Sequence, residues 1–270
     1  AVEFAKPTQL PKVAGISSQA WDMKGMIKFI MMSQAYCQSS SAPEELYRKD
    51  PENRLLARGP RFRLTGELVR DQALAVSGLL VNKVGGPSVR PYMPVGVWSE
   101  TNRYGNLKNY KADSGEGLYR RSMYTIWKRT AAPPSMLLFD APNREICFPL
   151  RSRTNTPLQA LALMNEVTYV EAARSLGQRM MKEGGDSVES RIIMGFRLVT
   201  ARTPDAATLA ILKKGFEDRR KEFEKDSESA TALIMQGASK PDPSLSAPDL
   251  AAYSATASIL LNLDRVITKD

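Results

Sequence analysis

Apolar residues recur at helical spacing through most of the second half of the chain. Tyr169, Ala173, Leu176 and Met180 mark one stripe, ended by Gly184-Gly185. Val188, Ile192, Phe196 and Val199 mark the next, with Asp186 as its cap and Glu189 in the reciprocal position. After Thr203-Pro204 come Leu209, Leu212, Phe216 and Phe223, with Lys213, Glu217 and Lys221 laddered on a solvated face. Leu250, Tyr253, Ala257, Leu260 and Leu261 form the last stripe, begun at Ser246 with Asp249. Thr156-Pro157 opens a shorter helix through Leu158 and Leu161. The pattern predicts a small helical bundle after Asn155.

The first half is less regular. Residues 1–20, with Pro7 and Pro11, read as an extended arm. Asp22 caps a predicted helix to about Tyr36, whose apolar face (Met23, Met26, Ile27, Ile30, Met31) is expected in the core. Ser41-Ala42-Pro43-Glu44 reads as a capping box, and Asp50-Pro51 as the start of a helix through Leu55 and Leu56. Thr65 begins a longer helix through Leu68, Val69, Ala73, Val76 and Leu80, stopped by Gly85-Gly86. Pro87 to Gly117 is a long Pro/Gly-rich loop, a kind of segment that is often functional. Tyr119 to Trp127 fits a helix and a strand almost equally. Its aromatic content and its Gly and Pro boundaries favour a strand, with Ile146 to Leu150 as partner.

The expected fold is mainly α: a helical bundle with a small central β element and the long loop. One domain over residues 21–270 follows the arm, with a subdivision near 155 between an Arg-rich α+β part and the bundle. No run of eighteen apolar residues occurs, so the sequence holds no candidate span.

Composition narrows the chemistry. The 270 residues include no histidine, which removes Ser-His and Cys-His catalysis and His-ligated metal sites. Two cysteines, Cys37 and Cys147, cannot build a zinc or iron–sulfur cage alone. Two separate buried thiols are the simpler reading; a Cys37–Cys147 disulfide would need an oxidising compartment. The net charge is +9, and residues 1–150 hold most of it, with 21 Lys/Arg against 13 Asp/Glu. An acidic partner would be drawn there, but interleaved acids (Arg70-Asp71, Asp140 to Glu145) suit internal pairs better than a phosphate track, which disfavours nucleic acid. The chain opens Ala-Val-Glu-Phe-Ala-Lys, without the charged and apolar regions of a leader, so a processed chain or a fragment is expected.

Without histidine, acid–base work would fall to carboxylates. Asp71, Asp140 and Glu145 are the candidates, in pairs spaced for glycoside hydrolysis if a cleft held them about 5–10 Å apart. The competing reading is a buried network, in which Arg70, Arg144, Arg151 and Arg153 fork onto those acids and hold the Pro-rich loops. Tyr92, Trp98, Tyr104 and Tyr110 punctuate the long loop. They would either stack on sugars or a protein partner, or anchor the loop. Arg120, Arg121, Lys128, Arg129, Arg144, Arg151, Arg153 and Asn155 complete the candidate binding set.

The densest motif cluster runs from Gly117 to Asn165. It includes Gly117-Leu118-Tyr119-Arg120-Arg121-Ser122-Met123-Tyr124-Thr125, Pro133-Pro134-Ser135, Phe139-Asp140-Ala141-Pro142-Asn143-Arg144-Glu145 and Arg153-Thr154-Asn155-Thr156-Pro157-Leu158-Gln159-Ala160-Leu161. Together with Asp50-Pro51-Glu52-Asn53-Arg54 upstream and Leu260-Leu261-Asn262-Leu263-Asp264 downstream, it resembles the uncharacterised C-terminal domain of large exported planctomycete and verrucomicrobial proteins. Many of those carry a cytochrome-c-like domain near their N-terminus. The resemblance implies export to the periplasm or cell surface and a longer parent polypeptide. It implies protein partners or sister domains, and haem c only in an upstream segment or another chain. It implies no established activity. Cys37 stands where an arginine is expected, and Ile27 and Ala112 where relatives often have histidine. A non-catalytic interaction or scaffold module is therefore the leading expectation, and a carbohydrate-active hydrolase or binding domain the alternative.

Overall fold

A computed structural model describes residues 2–8, 19–99 and 110–269. Contacts group the chain into two compact units, 1–62 with 268–270, and 63–267.

The smaller unit holds three short helices: α1 (Val2–Ala5), α2 (Met23–Met31) and α3 (Glu44–Lys49). Residues 2–5 are therefore helical, not extended. Asp22 does cap α2, its carboxylate accepting from Gly25 N at 3.0 Å. The helix ends at Met31, short of Tyr36, and its face of Met23, Ile27, Ile30 and Met31 is exposed, against expectation. Helical periodicity identifies an apolar face but not what covers it. The expected capping box is not formed: Pro43 is the N-cap of α3, with no side-chain bond. The helix expected after Asp50 is a run of turns. Asp50 accepts from the amides of Arg54 and Leu55, both at 2.8 Å, and Asn53 and Leu56 adopt left-handed φ of 52° and 54°. Those dihedrals stop helix propagation.

The larger unit begins with α4 (Gly66–Ser77), whose buried side includes Val69, Ala73 and Leu74. It ends at Gly78, which takes φ +80° and returns its N–H to Ala75 and Leu74, seven residues before the glycine pair expected to stop it. After α5 (Pro134–Leu138) come α6 (Pro157–Asn165), α7 (Val167–Glu183), α8 (Val188–Thr200), α9 (Ala206–Lys225), α10 (Ser227–Ile234), α11 (Ala247–Leu261) and α12 (Asp264–Ile267). The stripes expected for α7, α8 and α11 are buried, apart from half-buried Val188, as are Leu212 and Phe216 of α9. Caps shift slightly: Ser187 accepts from Ser190 N, and Asp205 from Thr208 N. Lys213 pairs with Glu189 of α8 at 2.6 Å, not along its own helix.

The expected β element is a two-stranded antiparallel sheet, but a different one: β1 (Phe62–Arg63) with β2 (Thr268–Lys269). Residues 119–127 form no strand. They hold a 3-10 turn at Ser122–Tyr124 and single bridges, Val81 to Arg120 and Val89 to Thr125. Ile146, Phe148 and Leu150 are exposed and do not pair with them.

Helices α7 and α11 form the centre of the core. Small residues bring them together: a Cβ on Gly177 would lie 2.9 Å from Ser254 N and Tyr253 C. Phe216 packs against Tyr253 with ring centroids 4.3 Å apart, tying α9 to that pair. Gly215, one residue away, faces open space. Gly177→Ala should therefore cost about 1–3 kcal/mol by pushing two backbones apart. Gly215→Ala should instead stabilise by up to about 1 kcal/mol through helix propensity. Urea unfolding monitored by far-UV circular dichroism checks both; equal effects at the two positions would contradict the packing argument.

Candidate functional site

Arg70, expected to fork onto Asp71, lies 3.9 Å from that carboxylate and spends its closer bonds on backbone carbonyls. Arg70, buried in α4, donates through Nη2 to Leu118 O at 2.7 Å and through Nη1 to Arg120 O at 2.9 Å. Burial lowers its pKa, and Asp71 is among the groups that oppose the shift. Arg120, also buried, donates to the carbonyls of Lys83 (3.0 Å), Pro87 (3.1 Å) and Gly85, and lies 3.9 Å from the Tyr124 ring centroid. Asp71 accepts from Ser122 N at 2.7 Å, with Arg121 Nε 3.8 Å away. Arg120 O and Ser122 N, which a strand at 119–127 would have offered to a neighbour, are thus committed to side chains.

The loop aromatics are anchors. Trp98 is 2% exposed, donates from Nε1 to Ala131 O at 3.2 Å, and meets Tyr110 edge-on at 5.0 Å. Lys128 Nζ sits 5.1 Å from the Trp98 ring centroid. The Tyr110 hydroxyl donates to Pro91 O at 2.5 Å, and the Tyr92 hydroxyl accepts from Ala238 N at 2.7 Å. Trp98 offers no open face for stacking, while Tyr92 and Tyr110 are half-buried. Tyr104 lies outside the described residues.

A polar cluster on α7 escaped the sequence reading. Glu171 is fully buried; its Oε1 accepts from Tyr119 Oη (2.8 Å), Ser239 N (2.6 Å) and Ser239 Oγ (2.6 Å). Arg174, one turn on, lies 3.7 Å from it and donates to Ser239 O at 2.9 Å. Gly237 passes directly over the carboxylate: a Cβ there would meet Glu171 Cδ at 2.2 Å. The available signal was an acid and a base three residues apart, flanked by the apolar positions 173 and 176.

The accessible candidates collect on the irregular segment from Ala141 to Asn155. Asp140, at φ +60°, accepts from Thr154 N at 2.7 Å and from Thr154 Oγ1 at 2.9 and 3.0 Å. Arg151 pairs with Glu67 of α4 at 2.9 Å, and Arg144 lies 4.5 Å from the Trp127 ring centroid. Glu145, Arg129, Arg153 and Asn155 are exposed. The network of Arg forks on Asp71, Asp140 and Glu145 is thus corrected: Thr154 holds Asp140, and Glu145 is on the surface. Two recesses of about 150 and 330 Å³ flank the segment and share Asp140, Leu150, Arg151 and Ser152. Cys37 and Cys147 are both free and exposed, neither buried nor bonded. Among the described residues no three of Cys, Asp or Glu gather as a metal cage, and no helix is long and apolar enough to cross a membrane.

A family described as PSD1, protein of unknown function (DUF1553), matches residues 14–216, about three quarters of the chain. The chain belongs to this family. No curated protein and no solved structure matches. The DUF1553 match closes within α9, so α11, the core partner of α7, lies beyond it.

Two measurements probe this DUF1553 chain's polar interior. Arg120→Lys leaves one ammonium where a planar fork met three carbonyls and a ring, and should cost about 2–3 kcal/mol by urea unfolding. A loss within 0.5 kcal/mol, read as about zero, would mean the fork is dispensable. Burial raises the pKa of Tyr92, Tyr110, Tyr119 and Tyr169 above the usual tyrosine value. Unfolded tyrosines release their protons near pH 10, while the folded chain retains them. The unfolded state then binds fewer protons, so stability falls as pH rises from about 10 to 11. Fully buried Tyr169 contributes up to about 1.4 kcal/mol per pH unit. Tyr169→Phe should flatten that slope in urea titrations at stepped pH.

Proposed function

We propose that this chain is a non-catalytic interaction module of an exported, multi-domain, cytochrome-associated polypeptide or assembly, acting at the periplasm or cell surface. Its docking face is the segment 141–155, and its partner a protein or a sister domain of the same parent polypeptide. Any haem c resides in that partner or an upstream segment. One observation carries the reading. Ile146, Phe148 and Leu150 are 63%, 53% and 82% exposed on an irregular segment that also presents Arg144, Arg151 and Arg153. Apolar side chains ringed by cations form an anchor-and-rim pattern suited to an acidic-rimmed protein surface. The carboxylates support the same reading, since Asp71 and Asp140 are spent on the backbone amides of Ser122 and Thr154.

The test mixes this chain with the segment that precedes it in the parent polypeptide and measures association by calorimetry. Phe148→Glu with Leu150→Glu should weaken binding by about tenfold or more, roughly 1.4 kcal/mol, at an unchanged melting temperature. Raised salt should weaken it further. Wild-type binding by the double variant would overturn the docking face. Glycoside hydrolysis abolished by Glu145→Gln, with folding intact, would overturn the non-catalytic reading.

A further inference from the structure

The larger unit contains a recess that the docking reading does not use. About 500 Å³ in volume, it is bounded by α6, α7, α9, α10 and α11 and shares no residue with segment 141–155. Its existence follows from side-chain size. Ala160, Ala173, Ser254, Ala255 and Ser258 are small and leave space, while Met164, Val170, Phe223, Leu233, Ile259 and Leu263 stand around them as walls. Protein interiors are otherwise close-packed, and a volume in the range of about 300–1,000 Å³ is typical of small-molecule sites.

The polar groups in the recess are few and mostly committed. Ser254 Oγ donates to Leu250 O at 2.6 Å, and Asn262 Nδ2 donates to Ala160 O at 3.3 Å. The single charged lining residue is Arg219, on α9. Its guanidinium is half-exposed and 4.0 Å from Glu222, a contact too long and too solvated to hold it. A half-open apolar recess with one lightly engaged cation is complementary to a molecule with an aliphatic body and an anionic head.

We propose that this recess binds an amphipathic anion of the long-chain carboxylate class, its chain among Phe223, Leu233, Ile259 and Leu263 and its head on Arg219. Charge complementarity decides for an anion over a cation or a neutral chain. Size decides for a small molecule over a docked helix: two turns of a helix about 10 Å across fill roughly 850 Å³, more than the recess of about 500 Å³ holds.

Dodecanoate, below its micellar concentration, is titrated into the full chain by calorimetry, with dodecyltrimethylammonium as the length-matched cation. Saturable 1:1 binding is expected for the carboxylate, about tenfold or more tighter than for the cation. Arg219→Glu should weaken dodecanoate by about tenfold and reverse that preference. Ser258→Phe should fill the recess and abolish binding; if that variant does not fold, Ala255→Leu serves in its place. Non-saturable uptake, equal affinity for both head groups, or dodecanoate binding unaltered by both Arg219→Glu and the filling variant would each overturn the proposal.

Discussion

Buried guanidinium groups gripping backbone carbonyls hold the irregular half of this protein in place. Arg70 collects the carbonyls of residues 118 and 120, and Arg120 those of 83, 85 and 87. Arg174 holds Ser239, and in the smaller unit Arg58 holds Pro51 at 2.7 Å; half-buried Arg179 likewise takes the Val76 carbonyl at the end of α4. A chain without helix or strand has carbonyls that no regular ladder satisfies. A planar cation with five donors can satisfy several at once, which a single ammonium cannot. The arrangement has a cost. The Nε atoms of Arg70, Arg120 and Arg174 are buried without a hydrogen-bond partner. Charged-donor bonds to two or three carbonyls, at about 1.5–3 kcal/mol each, are enough to offset it.

That use of arginine shapes what the surface can do. Cations gripping carbonyls are not available to a substrate, and Asp71 is bound to the same hub. The basic residues exposed beside apolar side chains on 141–155, Arg144, Arg151 and Arg153, are among those left to meet a partner. The positive surplus of residues 1–150 is therefore a poor guide to the outward field, because part of it is interior.

The helical half was legible because its signal is redundant. In α7, α8 and α11 each turn repeats the same apolar face, so the stripes of Tyr169 to Met180, Val188 to Val199 and Leu250 to Leu261 point inward together. Elsewhere the deciding interaction is between residues distant in sequence. No local pattern shows that Asp71 takes the amide of Ser122, or that a left-handed Leu56 ends the turn that Asp50 starts. The apolar face of α2 was read correctly as apolar and wrongly as core, since periodicity reports a preference and burial depends on what lies opposite. Glu171 and Arg174 were hidden in the most legible helix, because a regular stripe draws attention away from the charges between its members.

The same residue type thus serves two opposite ends, and burial alone separates them. Arg120 and Arg121 are neighbours: one is enclosed and bound to three carbonyls, the other is half-exposed beside Asp71. Arg151 and Arg153 flank Ser152: one pairs with Glu67, while the other is exposed on the rim of the recess beside Asp140. Arg70 and Arg120 enter the interior where unpaired carbonyls converge, on irregular backbone bent by Gly85, Gly86 and the turn at 122–124. Backbone shape thereby makes Arg70 and Arg120 structural, while on 141–155 Arg151 meets a carboxylate, Arg144 a ring, and Arg153 solvent.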